Sequence, residues 1–138
     1  MVASASVREG LMGIQGYQPL FNVADVGASV AFWQSALGFE LTQTFEWEGR
    51  LAFAQLRSGA VEVMLNGRGG DPAVRLARPH YSDAVFYFRV DDVHTLFQDL
   101  TARGLAPTAP ERQDYGLDEM YLRDPDGYEL SFTSPARG

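Results

Sequence analysis

A short phrase that returns 67 positions later limits what this chain can fold into. Phe21-Asn-Val-Ala-Asp-Val26 and Phe88-Arg-Val-Asp-Asp-Val93 share Phe, Val, Asp and Val at one spacing, and Gly49 and Gly116 keep the same offset. Gly59 and Gly127 lie 68 apart, and Gly38 and Gly104 lie 66 apart, the slips that turns of unequal length would give. Self-similarity of this period marks one supersecondary unit used twice. Two such units account for most of the 138 residues.

Each unit reads as a strand, a helix and three further strands. In the first, Gln18 to Val23 alternates and meets Asp25, a helix N-cap residue. Val26, Val30, Trp33 and Leu37 follow at helical spacing, and Gly38 ends the helix as a C′ residue. Strands are expected near 40–47, 50–57 and 60–66, with hairpin turns at Glu48-Gly49 and Ser58-Gly59. In the second, Ala84 to Val90 is a strand. Asp91 or Asp92 caps a helix carrying Val93, Leu96, Phe97 and Leu100, and Gly104 ends it. Strands near 107–113, 117–123 and 128–133 complete the unit, with Asp124-Pro-Asp-Gly127 as a hairpin turn. The expected fold class is α+β: two tandem βαβββ units forming a curved mixed sheet around a cleft. Residues 1–16 read as a flexible leader, 17–134 as a single domain and 135–138 as a tail. The units run 17–67 and 83–134, joined by a linker over 68–82, and Ser134 to Gly138 reads as frayed.

Composition excludes several function classes. With no Cys there is no disulfide framework, thiolate metal site or Cys nucleophile, and two His cannot build a His-rich metal cage. Eighteen acidic and 11 basic side chains give a net charge of −7, which argues against sequence-independent nucleic-acid binding. Arg8 and Glu9 interrupt any signal-peptide core, and no apolar run has the length of a membrane span. The expectation is a cytoplasmic protein with no membrane or nucleic-acid partner.

Alternation assigns the strand faces. Phe21 and Val23; Val61, Val63 and Leu65; Phe86, Phe88 and Val90; and Leu130 and Phe132 should pack under the helices. The opposite face carries Gln18, Leu20 and Asn22; Glu62, Met64 and Asn66; Val85, Tyr87 and Arg89; and Glu129, Ser131 and Thr133. That mixed face suits the lining of a concave cavity.

The unit order, the phrase Asn22-Val-Ala-Asp25…Ser29-Val-Ala-Phe-Trp33…Leu37-Gly-Phe39, and Arg123-Asp-Pro-Asp-Gly127 before the last strand resemble the vicinal oxygen chelate superfamily. That superfamily includes glyoxalase I, extradiol dioxygenases, fosfomycin-modifying enzymes and bleomycin-binding resistance proteins. The resemblance covers residues 17–134 and bears on fold more than on function, because the scaffold hosts several chemistries. It implies a divalent metal held by His, Gln or Glu from the first, fourth, fifth and last strands. The matching positions are Gln18, Met64, Val85 and Ser131, of which only Gln18 is a fitting donor. No metal and no cofactor is therefore expected in the leading reading. His80 could fold over the cavity mouth as a ligand or base, or lie solvated in its loop. His94, beside Val93, is expected to face solvent. Glu62 and Glu129 form a possible proton-abstracting pair, against the plainer reading of solvated or Arg-paired residues with Arg89 nearby.

Aromatic residues carry the remaining signal. Phe45 and Trp47 share a strand face, flanked by Glu46 and Glu48, and Tyr115 and Tyr121 occupy the matching region of the second unit. They suit core or dimer interface, or a clamp on a planar cationic molecule. The bleomycin-binding branch lacks the metal set, dimerises, and holds its drug between aromatic walls. The resemblance thus implies a metal-independent protein that sequesters a small aromatic or cationic compound, an antibiotic being one such class, and that forms a homodimer. Gln18, Trp47, Glu62, Met64, Tyr87, Arg89, Tyr115 and Tyr121 would line its ligand cleft. The alternative is a divalent-metal-dependent glyoxalase-like lyase, isomerase or dioxygenase. A third reading is a structural or regulatory protein with an unused cavity. Whether the chain is an enzyme stays open at this level.

Overall fold

The computed structural model describes residues 13–138. The expected leader falls mostly outside these residues. The first unit contains β1 (Leu20–Asn22), α1 (Val26–Ser35), β2 (Glu40–Trp47), β3 (Arg50–Ser58) and β4 (Val61–Asn66). A short helix, α2 (Pro72–Leu76), follows. The second unit contains β5 (Val85–Arg89), α3 (Val93–Ala102), β6 (Glu111–Arg112), β7 (Leu117–Arg123) and β8 (Glu129–Pro135). The strands form two four-stranded mixed sheets, ordered β1-β4-β3-β2 and β5-β8-β7-β6. In each, the first and last strands of the unit run parallel and the other ladders are antiparallel. This is the α+β architecture of two tandem βαβββ units that the repeat implies.

Local chemistry sets the helix ends. The Asp25 carboxylate accepts the Ala28 N–H at 3.1 Å, satisfying a donor at the start of α1. At the other end Phe39 N–H reaches Trp33 C=O and Gly38 N–H reaches Gln34 C=O, while Gly38 adopts φ +72°. This paired closure places a residue in the left-handed region, which glycine enters without a Cβ clash. Asp92, the second of the two candidates, caps α3 by accepting the His94 N–H at 3.0 Å.

The core lies between the helices and the inner faces of both sheets, and aromatic rings knit the units together. Phe21 of β1 packs edge-on against Phe86 of β5 at 4.7 Å and against Tyr128 at 4.9 Å. Trp33 of α1, fully buried, meets Phe88 of β5 at 6.0 Å. A hydrogen bond joins the same seam: the Tyr128 hydroxyl donates to Asn22 C=O at 2.8 Å.

Several expectations are corrected. The strand placed near 107–113 shrinks to the two residues of β6. Pro107 and Pro110 lack the N–H a ladder needs, so pairing survives at Glu111–Arg112, through Thr108 to Tyr121 and through Gln113 to Leu117. The linker contains α2, capped by Asp71 and started by Pro72. Arg75 of α2 stacks over the Tyr128 ring at 3.9 Å, and Arg123 donates to Arg75 C=O at 2.8 Å and Arg78 C=O at 2.7 Å. The tail is pinned. Ser134 Oγ accepts the Val93 N–H at 3.0 Å, and Arg137 pairs with Asp92 at 2.6 Å. Val61, assigned to the inner face, is 44% exposed because it opens its strand beside the Gly59 turn. His94 does not simply face solvent. Its Nε2 lies 2.8 Å from Oδ2 of buried Asp118, which also binds Arg112 at 2.9 Å. These partners hold the Asp118 carboxyl well below the usual carboxylate range, the His94 hydrogen bond contributing most.

Candidate functional site

Each sheet turns one face to its helix and the other outward. The outward face of the first sheet is open. Parallel pairing sets Leu20 opposite Met64, so Gln18, two residues earlier, falls opposite Glu62. Gln18 Nε2 donates to Glu62 Oε1 at 2.5 Å, and Gln55 Nε2 donates to Oε2 at 3.3 Å. This corrects the strand register assumed for the fourth strand: the neighbour of Gln18 is Glu62, and Met64 lies between Leu20 and Gln55 in the ladder. Farther along, Phe45 pairs with Phe53 across β2 and β3. Phe45 and Trp47 are 55% and 63% exposed. With Phe53, Asn66 and Arg68 they line a hollow of about 380 Å³. Glu46 and Glu48 are exposed, and Glu48 makes the turn with φ +52°.

The outward face of the second sheet is built differently. Glu119, Glu129, Ser131 and Thr133 all point to this side and are all buried. The linker reaches the two carboxylates. His80 Nδ1 lies 3.1 Å from Glu129 Oε2, and the Tyr81 N–H donates to Glu129 Oε1 at 3.1 Å. Arg123 adds an ion pair to Glu129 at 3.6 Å. Tyr81 holds φ +61°, an uncommon conformation for a residue with a Cβ, and this conformation turns its ring onto the sheet. Its hydroxyl reaches Glu119 Oε2 at 3.2 Å.

Three more phenols converge on Glu119. Tyr121 donates to Oε2 at 2.5 Å, Tyr87 to Oε2 at 3.3 Å, and Tyr115 to Oε1. The hydrogen bond to Glu119, with burial second, pushes the Tyr115 phenol up to about 12. Burial first and the Glu119 charge second raise Tyr87; burial first and Glu129 second raise Tyr121. All three phenols therefore stay protonated at neutral pH and hold their hydrogens. Ser131 Oγ, wholly buried and opposite both Tyr87 and Tyr121 in the ladders, has no hydrogen-bond partner among the described residues.

The eight residues marked by the sequence thus fall into separate groups. Glu62, Tyr87 and Arg89 meet in a hollow of about 500 Å³ between the units, which Tyr17 and Pro19 also line. Gln18 joins them through Glu62. Tyr87, Arg89 and Tyr115 line an adjoining hollow of about 550 Å³ with Leu117 and Thr133. Tyr121 stacks obliquely on His80, its ring 5.1 Å away. Trp47 belongs to the Phe45 hollow. Glu62 and Glu129 sit in different sheets with different partners, and Arg123, not Arg89, pairs with Glu129. Sequence reasoning missed Glu119 and Tyr81. Glu119 shares strand parity with Tyr121, so alternation alone would have put both on one face. Nothing in the linker sequence signals the inward turn of Tyr81.

The candidate donors for a divalent metal are engaged elsewhere or lacking. Gln18 and Glu62 are already bonded to each other, Val85 carries no donor opposite Glu129, and Glu129 is engaged by His80, the Tyr81 N–H and Arg123. Among the described residues no three His, Asp or Glu side chains converge. No helix among them is long and apolar enough to cross a membrane.

Comparison with known proteins supports the architecture. The sequence model of the Glyoxalase/Bleomycin resistance protein/Dioxygenase superfamily matches residues 17–132. No curated protein matches significantly. The antibiotic-binding protein TnmS3 from Streptomyces sp. CB03234 superposes with TM-score 0.70 at 22% identity, covering 91% of this chain and 99% of that one. The bleomycin-binding protein from bleomycin-producing Streptomyces verticillus, complexed with copper(II)-bleomycin, gives 0.65 at 25% identity, covering 91% and 100%. Lactoylglutathione lyase from Agrobacterium tumefaciens gives 0.64 at 18% identity, covering 88% and 95%.

Proposed function

Because this chain belongs to the glyoxalase/bleomycin resistance protein/dioxygenase superfamily, we propose that it is a metal-independent binding protein that sequesters a small aromatic compound, an antibiotic by class. The observation that carries this reading is the set of solvent-facing aromatic rings on the outward sheet faces. Phe45, Trp47, Tyr87 and Tyr115 are each more than half exposed. Rings held out on a rigid sheet present large contact area at little entropic cost. The donor set favours binding without a metal, and the antibiotic-binding likenesses agree with the reading. A homodimer belongs to it as well, since a second copy facing these open sheets would close a cleft around the ligand and bury Leu20, exposed here.

Trp47 is exposed and Trp33 fully buried, so a ligand stacking on the sheet changes the fluorescence of Trp47. Titration of the chain with bleomycin-type drugs should give a saturable change that Trp47→Phe removes. A flat response across such drugs defeats the antibiotic reading. Sedimentation with and without drug reads the dimer.

Gln18 and Glu62, side by side, favour a second reading, a divalent-metal-dependent glyoxalase-like lyase, isomerase or dioxygenase. Metal analysis of the purified protein, followed by titration with nickel, zinc, manganese and iron, decides between them. Stoichiometric metal would replace the first reading with the second.

A further inference from the structure

Glu119 is a dry carboxylate without a counter-ion. It is 2% exposed, and among the described residues no cation pairs with it. Its partners are the hydroxyls of Tyr81, Tyr87, Tyr115 and Tyr121. Tyr81, Tyr87 and Tyr121 meet at Oε2 and Tyr115 meets Oε1, so both carboxylate oxygens are engaged. Tyr81 and Tyr87 also lie 3.2 Å apart, oxygen to oxygen. Every phenolic hydrogen of the cluster is thus committed inward. On the solvent side the crown presents lone pairs and ring faces, and beneath them a buried negative charge.

Such a surface accepts hydrogen bonds and offers none. A group with several N–H donors, a positive charge and an apolar stem matches all three properties. We propose that the tyrosine crown over Glu119 recognises a protonated amine on the ligand. This deepens the sequestration reading and rests on it for the ligand's aromatic body. Arg89 lines the same hollow as Tyr87 and Tyr115 and is the feature that would favour an anion instead. It is exposed and screened by solvent, whereas Glu119 is buried beneath the tyrosine rings and is screened less.

Three phenylbutyl probes differing only in head group test the assignment: 4-phenylbutylamine, 4-phenylbutanol and 4-phenylbutyrate. Affinity is read by tyrosine ring NMR on the full chain. The amine should bind about tenfold tighter than the alcohol, with the carboxylate weakest, and should shift the Tyr87 and Tyr115 ring signals. Glu119→Gln should bring amine and alcohol together. Tyr115→Phe, at the exposed rim, keeps the ring and the carboxylate, removes one hydroxyl of the crown, and should cut the amine preference about threefold. Equal binding of amine and alcohol, tightest binding of the carboxylate, no binding of any probe, or amine binding without tyrosine shifts each overturns the proposal. The drug titration is separate. Drug binding without the head-group ranking removes the amine site alone, and the ranking without drug binding removes antibiotic sequestration alone.

Discussion

The Ala24 N–H donates to Oδ1 of Asp126 at 2.8 Å, tying the entry to α1 to the turn before the last strand, 102 residues away. Asp126 is 4% exposed, so this bond closes the seam between the units away from bulk water. Asp126→Ala leaves a backbone donor without its partner. It should cost about 1–3 kcal/mol, read as a lower urea midpoint. An unchanged midpoint would show that the seam holds through its aromatic contacts alone.

Asp118 sets an acid limit on the same fold. The hydrogen bonds from His94 first and Arg112 second lower its folded pKa from the ordinary 3.8. The folded carboxylate stays ionised while the unfolded one takes up a proton. Its contribution is therefore present above about 3.8 and lost as pH falls below it. His94→Ala should destabilise the chain at neutral pH and make the loss below pH 4 shallower, as urea midpoints across a pH series would report.

Asp124 has the opposite sign. It is 2% exposed, its Oδ2 has no partner, and burial foremost pushes its carboxyl up to about 7. Between about 4 and 7 the unfolded carboxyl has lost its proton and the folded one still holds it, so stability falls as pH rises. The full effect is at most about 4 kcal/mol. Asp124→Asn keeps an oxygen for the Asp126 and Tyr128 N–H groups and removes the titration. Its urea midpoint should vary less between pH 5 and pH 8 than that of the parent chain.

Gly127 ends the same turn at φ +86°. A Cβ there would stand 2.8 Å from the Leu76 nitrogen and 3.0 Å from the Arg75 carbonyl carbon, against the backbone of α2. At Gly49, φ is +77° but the space is open. Gly49→Ala should therefore lose about 1–2 kcal/mol for backbone conformation. Gly127→Ala should lose about 1–3 kcal/mol more, because helix backbone has to move. Thermal unfolding of the two variants side by side measures the gap.

The repeat, helix caps and strand parity were legible because each is written within a few neighbouring residues. Asp25 and Asp92 cap, Gly38 and Gly104 terminate, and Phe21, Val63, Leu130 and Phe132 lie under the helices as alternation requires. The pairing of Gln18 with Glu62 was not legible. Parallel register is fixed by closure between segments 44 residues apart, and a shift of two residues preserves the parity that sequence can read. The helix in the linker and the ties of the tail were not legible for a related reason. Small polar residues look like loop, yet Ser134, Arg137 and Arg75 find partners that only folding brings near. The sequence by itself determined two βαβββ units, their inner faces and their turns, since these follow from local periodicity and backbone sterics. Only the tertiary structure gathered Tyr81, Tyr87, Tyr115 and Tyr121 around Glu119, because that meeting depends on a linker residue turning inward onto a sheet whose register is set by distant strands.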